Sequence, residues 1–422
     1  MSGQAVSCEE ALSIVLHEAA PFAIEHRPLA EAAGLVLAEA VVAGVDLPPF
    51  DNSAMDGFAL HADGRTVAAG TEFEVAGAQV AGDEATTAGE GGAWEIMTGA
   101  RMPAGLDSVV PVERIEVIGR DGAGRPRRIR LAADVKPGDN VRLRGQDVES
   151  GTTVLRAGTA VDSAAVMVLS SLGVDRVAVR RRPKVAVLNT GRELVDDPER
   201  PLASGEIRNS NGPFLAARVA AAGAELVLRE TVTDEPADFL AALECTLAAG
   251  ADVVLSTGAV SMGRHDFVPD ALRSIGADIR FHKVEIRPGR PLLFARLAGG
   301  QLYFGLPGNP ASAAVGLRFF AEAALRAFTG QAPERPLRMP LAADWSKRAA
   351  LRFHLKGRVE LSGGVLRARI LHGQESFKVQ PLLVANAWIV VPEDTMQFQA
   401  GDMVDVYAPG HAEGLKIEEV MQ

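Results

Sequence analysis

Apolar positions along this chain follow three different rhythms. Near the start, Ala11, Leu12, Val15, Leu16 and Ala19 recur at helical spacing behind Ser7 and Glu10, the two ends of a capping box. A second apolar run, from about Leu29 to Val41, predicts another helix, and the Pro-rich break Leu47-Pro48-Pro49-Phe50 follows it. Beyond that break the helical period disappears. Short extended runs alternate with turns such as Gly89–Gly92 and Arg120-Asp121-Gly122-Ala123-Gly124, the pattern of a small β domain. Helical pattern returns behind Asp162, a predicted N-cap, and stops at Gly173. If the helices on either side pack together, the β segment is an insertion and its flanks form one elongated helical piece.

From Lys184 the rhythm changes again. Continuously apolar strands at Lys184–Leu188, Glu225–Val232 and Asp252–Leu255 alternate with helical stretches at Pro213–Ala222 and Ala237–Ala249. A further helix is expected at Phe267–Ile275, strands near 279–284, 292–297 and 302–305, and a last helix over about Ala311–Phe328. Repeated βαβ units with all-apolar strands predict a doubly wound α/β domain, a parallel sheet covered on both faces. The expected organisation is therefore multidomain. Residues 1–45 and 142–181 form an elongated helical linker domain, 46–141 an inserted β domain, 182–330 the central α/β domain, and 331–422 a C-terminal β-barrel-like domain.

Composition narrows what such a protein can do. Its 422 residues are too many for one ordinary core, and 47% hydrophobic with 23% charged residues is globular composition. The formal net charge of −11 disfavours nucleic acid as a partner. No stretch approaches the ~18 apolar residues of a membrane span, and the first ten residues lack a leader pattern. Two distant cysteines, Cys8 and Cys245, give neither a disulfide framework nor a metal spacing, so a reducing, cytoplasmic setting is expected.

Ligands of open α/β sheets sit beyond the carboxyl ends of the strands. Four loops qualify here: Thr190-Gly191-Arg192-Glu193, Thr233-Asp234-Glu235, the run Ser256-Thr257-Gly258-Ala259-Val260-Ser261-Met262-Gly263, and Leu306-Pro307-Gly308-Asn309-Pro310. The third, rich in Gly and hydroxyls and entering a helix, offers backbone N–H groups to an anion, though an ordinary strand–helix turn has the same composition. It lacks the Gly-Lys-Ser/Thr ending of a P-loop. Lys283, Arg287 and Arg290, with Pro288 and Gly289 between them, are cations clustered in an acidic chain. They read either as a solvated basic loop or as oxyanion donors. Glu193, Asp234 and Asp266 suit Mg²⁺ beside phosphate, while Asp234 and Asp266 equally suit helix caps. The polar stretch Asp51-Asn52-Ser53-Ala54-Met55-Asp56-Gly57 opens the β segment and is compatible with a plain Asx-rich turn.

Taken in order, these segments resemble the molybdopterin molybdenumtransferase family, the stand-alone bacterial relatives of the gephyrin E domain. The likeness rests on Asp51–Gly57, Met97-Thr98-Gly99-Ala100 with Pro103 and Gly105, Arg144-Gly145-Gln146-Asp147, Thr190–Leu194, the Ser256–Gly263 loop with Asp266, Arg287–Pro291 and Gly305–Pro310, and so spans nearly the whole chain. It implies insertion of molybdate into adenylylated molybdopterin with release of AMP, Mg²⁺ dependence, and an elongated four-domain homodimer with shared active sites. The implied active-site positions are Asp56, Thr98, Asp147, Glu193, Asp234 and Asp266. Glu193, Asp234 and Asp266 would be metal ligands, and Lys283, Arg287 and Arg290 the cationic side. Ser256, Thr257, Gly258, Ser261, Pro307, Asn309 and Pro310 would be the remaining cofactor contacts. Asp56 and Thr98 would come from the partner subunit. No fused adenylylating domain is visible in this sequence, so a separate molybdopterin adenylyltransferase is the expected supplier and a candidate partner. The chain departs from the family where Arg192 stands for the usual Asp, Ala259 for a second Gly, and Arg287 and Arg290 for frequent lysines. Those departures leave two alternatives in view: a non-catalytic molybdopterin-binding carrier or scaffold, and a tungstate-specific relative. A general nucleotide-binding α/β protein is a third and weaker reading.

Overall fold

The computed structural model describes residues 5–89, 91–260 and 266–419. The first helix, α1 (Cys8–Glu18), starts as its capping box requires, with the Ser7 hydroxyl accepting the Glu10 N–H at 3.1 Å. Its apolar face, Ala11, Val15 and Ala19, is fully buried, but against the α/β core rather than the linker. Phe22 just beyond it stacks on Phe328, ring centroids 4.6 Å apart.

The expected helix over Leu29–Val41 does not form. One 3₁₀ turn, Leu29–Glu31, gives way to two short strands, Val36–Leu37 and Val41–Val42, and Gly34 between them takes φ +77°, which a helix interior excludes. Long-range pairing wins over local spacing. Ile24–Pro28 and Val36–Leu37 flank Arg176–Arg180 in a three-stranded antiparallel sheet, and Val41–Val42 pairs with Thr153–Leu155. The two flanks of the insertion are thus joined mainly by strands, with one helix, Ser163–Ser171, capped by Asp162 as expected. Leu29, Ala32 and Leu37 close a small core with Val161, Leu169 and Val179.

The insertion is a six-stranded sheet in the order 108–111, 57–60, 93–96, 72–79, 126–131, 115–120. The segment Asp51–Gly57 leads into the strand 57–60, and its Asn52–Ser53 pairs with Val141–Arg142 in a separate two-stranded ladder.

In the α/β domain the strands are β1 (Lys184–Thr190), β2 (Glu225–Val232), β3 (Val253–Thr257), β4 (Asp278–His282), β5 (Leu293–Arg296) and β6 (Leu302–Leu306). The helices are α2 (Asn211–Ala221), α3 (Pro236–Ala248), α4 (Val268–Ser274), α5 (Pro310–Gly316) and α6 (Glu322–Phe328), with a π-helical turn, Leu317–Ala321, between the last two. Sheet order is β2-β1-β3-β6-β5-β4. Alternate residues of β1 face opposite cores. Val185 and Val187 pack under α1, α2, α5 and α6, whereas Ala186 and Leu188 pack under α3 and α4. The domain is doubly wound as expected, with one correction. Parallel pairing is confined to β2, β1, β3 and β6; β5 pairs antiparallel with both β6 and β4, so it alone runs against the rest of the sheet. The Gly299-Gly300 pair between β5 and β6 makes a hairpin there instead of a crossover.

The C-terminal strands form a curled sheet centred on the long strand Arg352–Ser362, which pairs with 365–370 and 387–391. Ile286–Arg287, from the α/β domain, adds to its edge beside Arg352–Phe353. The π turn projects Phe319 into this sheet, where its ring meets His354 at 4.3 Å. Burial pushes the His354 pKa down to about 3, with Arg352 and Arg318 adding to the effect. The unfolded chain binds a proton at His354 below about pH 6.5 while the folded chain refuses it until about pH 3, so stability falls as pH drops through that window. A His354→Leu variant should therefore lose about 2 kcal/mol less than the unchanged chain between pH 7 and pH 5 in urea unfolding. Equal losses would show that His354 is not the group that titrates. Among the described residues no helix is long and apolar enough to cross a membrane.

Candidate functional site

The carboxyl edge of the α/β sheet is held by buried amides that the sequence reading missed. Asn189, at the end of β1, donates to the Thr257 hydroxyl at 2.6 Å and accepts from Asn209 at 3.2 Å. Asn209 also reaches Thr231 on β2 and accepts the Gly212 N–H, while Asn211 donates to the Gly308 carbonyl at 2.7 Å. Four strand ends are thereby fixed relative to one another. The available signal was the polar run Arg208-Asn209-Ser210-Asn211-Gly212 leading into the first turn of a helix.

Ser256 and Thr257 end β3. Both side chains are buried, and their hydroxyls are committed to Tyr303 and Asn189. They shape the loop and do not present side chains to a ligand. Gly258 follows at φ +93° and Ala259 at φ +51°. The left-handed backbone at Ala259 explains why glycine suits that position better. A Cβ on Gly258 would lie 2.5 Å from the Thr190 carbonyl oxygen, so the loop passes directly over the end of β1. Ser261 lies outside the described residues, and Asp266 immediately precedes Phe267, the cap residue of α4.

Asp234 does not cap its helix. Its carboxylate accepts the Arg192 N–H at 3.2 Å, clamping the β1 loop, while the Thr233 hydroxyl takes the Glu235 N–H. The Glu193 carboxylate folds back over Gly191, where a Cβ would meet both oxygens at 2.8 Å. These two acids come from different loops, and both act on the loop that follows β1. Among the described residues no three metal-ligating side chains gather at a point.

Arg287 and Arg290 lie on a turn whose Gly289 has φ +102°. Both are exposed, and among the described residues neither pairs with a carboxylate; nor does Lys283. The Arg287 guanidinium instead sits 5.6 Å from the Phe353 ring centre. The turn forms one wall of a cleft of about 910 Å³, with Pro307 and Asn309 beside it. Lys283 and Pro310 do not line it. The opposite wall belongs to the C-terminal domain: Trp345, Phe353, Arg369, His372 and Ser376. No motif signalled that wall, because it forms only when two domains meet. A cleft with unpaired arginines on one side and an aromatic ring opposite can hold an anion attached to a flat apolar body.

A second cluster lies on the inserted sheet. The Asp56 carboxylate accepts both the N–H and the hydroxyl of Thr98, at 2.7 and 2.8 Å. These bonds, the backbone one first, hold its pKa below the usual carboxylate range. Ser53 accepts the Gly99 N–H, and Asp51 accepts the Arg144 N–H, so the three sequence motifs meet here. Asp147 is exposed on the adjoining loop, its N–H bound to the Leu47 carbonyl. No hydrogen bond or ion pair among the described residues joins Asp56 or Thr98 to the α/β edge.

Fold and site together define a multidomain α/β protein with a cationic interdomain cleft and a separate acidic cluster on an inserted β domain. Residues 6–173 match the family described as MoeA N-terminal region (domain I and II), 186–327 the probable molybdopterin binding domain, and 338–408 the MoeA C-terminal region (domain IV). The chain is 34% identical over 411 residues to a molybdopterin molybdenumtransferase of Synechococcus elongatus, covering 95% of this chain and 99% of that one. It is 36% identical over 392 residues to molybdopterin molybdenumtransferase 2 of Mycobacterium tuberculosis, covering 90% and 94%. The crystal structure of a molybdopterin biosynthesis MoeA protein from Pyrococcus horikoshii superposes with a TM-score of 0.77 at 28% identity, covering 96% of this chain and 99% of that one. This chain belongs to the molybdopterin molybdenumtransferase family.

Proposed function

We propose that the chain inserts molybdate into adenylylated molybdopterin and releases AMP, a transferase step of molybdenum cofactor biosynthesis. The observation that carries this reading is the cleft itself: two arginines without carboxylate partners, in a protein of net charge −11, facing an aromatic wall. Molybdate and a pyrophosphate-linked nucleotide are both anions, and Arg287 and Arg290 offset their charge with planar, multiply donating groups. The Gly258 N–H ties its loop to the Leu306 carbonyl at 3.3 Å, and Pro307 and Asn309 shape the floor.

Glu193 and Asp234 would hold Mg²⁺. Two carboxylates from adjoining loops suit that ion, which takes its other ligands from phosphate and water. When bound it would neutralise charge on the phosphoanhydride that breaks. The chain acts as a homodimer with shared sites, each cleft receiving Asp56 and Thr98 from the other subunit. Thr98 keeps Asp56 ionised and oriented. The setting is cytoplasmic, and a separate molybdopterin adenylyltransferase supplies the substrate.

Purified protein incubated with adenylylated molybdopterin, Mg²⁺ and molybdate should release AMP and activate an apo-molybdoenzyme. No AMP under those conditions sinks the reading. Arg192 favours a second one. Its side chain is exposed beside Glu193 and Asp234 and has no partner among the described residues, so it places positive charge where a cation would bind. A non-catalytic carrier would bind the pterin without AMP release, and a tungstate-specific relative would release AMP only with tungstate.

A further inference from the structure

The wall of the cleft contributed by the C-terminal domain is held by a buried cation. Lys356 lies in the middle of the strand Arg352–Ser362 with 1% of its surface exposed. No carboxylate pairs with it among the described residues. Its ammonium donates instead to two backbone carbonyls, Glu375 at 3.2 Å and Lys378 at 3.1 Å. Gln374 fastens the same turn from the other side, accepting the Lys356 N–H at 3.0 Å and donating to the Lys356 carbonyl at 2.8 Å.

What this turn touches gives Lys356 its interest. Gln374, Glu375 and Ser376 line the cleft. The Ser376 carbonyl accepts the Ala311 N–H at 2.9 Å. Ala311 is the second residue of α5, and its amide is among those a helix N-terminus leaves unsatisfied. Asn309 satisfies the amides of Ser312 and Ala313 through its own carbonyl, so Ala311 is the one handed across to the other domain. The chain of contacts runs from the ammonium, through two carbonyls, to the turn, and from the turn to the helix that begins beside Asn309.

We propose that Lys356 is a positioning residue for the anion cleft: it fixes the turn at 374–378, and through the Ser376–Ala311 bond that turn sets the distance between the cationic wall and the aromatic wall. The proposal rests on the cleft being the molybdate and pterin site. A purely structural role makes a different prediction. A buried ammonium without a carboxylate is a poor stabiliser, and an apolar residue of similar length costs the sheet little. Cleft geometry, rather than barrel stability, is what the charge serves.

The test compares the full chain with Lys356→Met and Lys356→Arg. Three quantities are read: exchange of the Ala311 amide without ligand, the dissociation constant for molybdate by calorimetry, and the urea midpoint. Lys356→Met should exchange Ala311 about tenfold faster and bind molybdate about tenfold more weakly with its urea midpoint kept, and Lys356→Arg should bring both back to within about threefold. Unchanged Ala311 protection or unchanged molybdate affinity in Lys356→Met overturns the proposal. So does failure of Lys356→Met to fold, because the ammonium would then serve the barrel itself. An unchanged chain whose Ala311 amide exchanges as fast as exposed loop amides also overturns it, with no variant needed. If the unchanged chain does not bind molybdate, the functional reading falls, while the ligand-free exchange still judges the latch.

Discussion

Asp56→Ala and Arg290→Ala variants are each expected to release AMP at least about a hundredfold more slowly than the unchanged chain, and to regain about a quarter of its rate when mixed and allowed to exchange subunits. The two residues lie in different parts of one chain. Asp56 is tied to Thr98 on the inserted sheet, and Arg290 is exposed on the cleft of the α/β domain. If each working site takes Arg290 from one subunit and Asp56 from the other, a mixed dimer contains one intact site and one doubly defective site. Half of the dimers are mixed, and half of their sites work. AMP measured after exchange, with mixed dimers confirmed by mass, decides the matter. Confirmed mixed dimers without recovered activity would show that each chain builds its own site.

Gly258→Ala should cost about 2–4 kcal/mol of stability, while Gly308→Ala, one loop away, should cost less than about 0.5 kcal/mol. At Gly258 two penalties coincide. The backbone is left-handed at φ +93°, and a Cβ would lie 2.5 Å from the Thr190 carbonyl oxygen and 2.6 Å from its hydroxyl. Neither atom can yield, because Thr190 ends a central strand and its hydroxyl donates to Thr257. A Cβ on Gly308 meets nothing nearer than 3.9 Å. Denaturant unfolding of both variants provides the comparison. Equal stability of the two would mean that the loop relaxes freely over the end of β1.

Local chemistry was readable from the sequence; features assembled at a distance were not. The N-caps Ser7 and Asp162 involve partners three residues away, and both form. The inner strands β1, β3 and β6 announce themselves because each is buried on both faces. The run at 29–41 misled because its apolar spacing suits a helix, yet its partners are strands more than a hundred residues away. The antiparallel β5–β6 hairpin was missed although Gly299-Gly300 marks it. At the site, the glycine loop and the arginine turn carry unusual composition and stand out. Asn189 and Asn209 do not, since a buried amide is known only by the groups it satisfies. Trp345, Arg369 and His372 belong to a wall that no single segment encodes.

The edge strand at Ile286–Arg287 bears on how this molecule can be taken apart. In linear order the α/β domain ends near residue 330, and the stretch before Leu337 looks like a place to cut. Yet the segment that carries Arg287 is hydrogen-bonded into the sheet of the following domain, beside Arg352 and Phe353. A fragment ending at 330 would keep the nucleotide-fold strands and lose the support of its own arginines. The chain is modular in its list of elements and indivisible at the arginine turn, so insertion or recombination at that junction changes the cleft even when both halves fold.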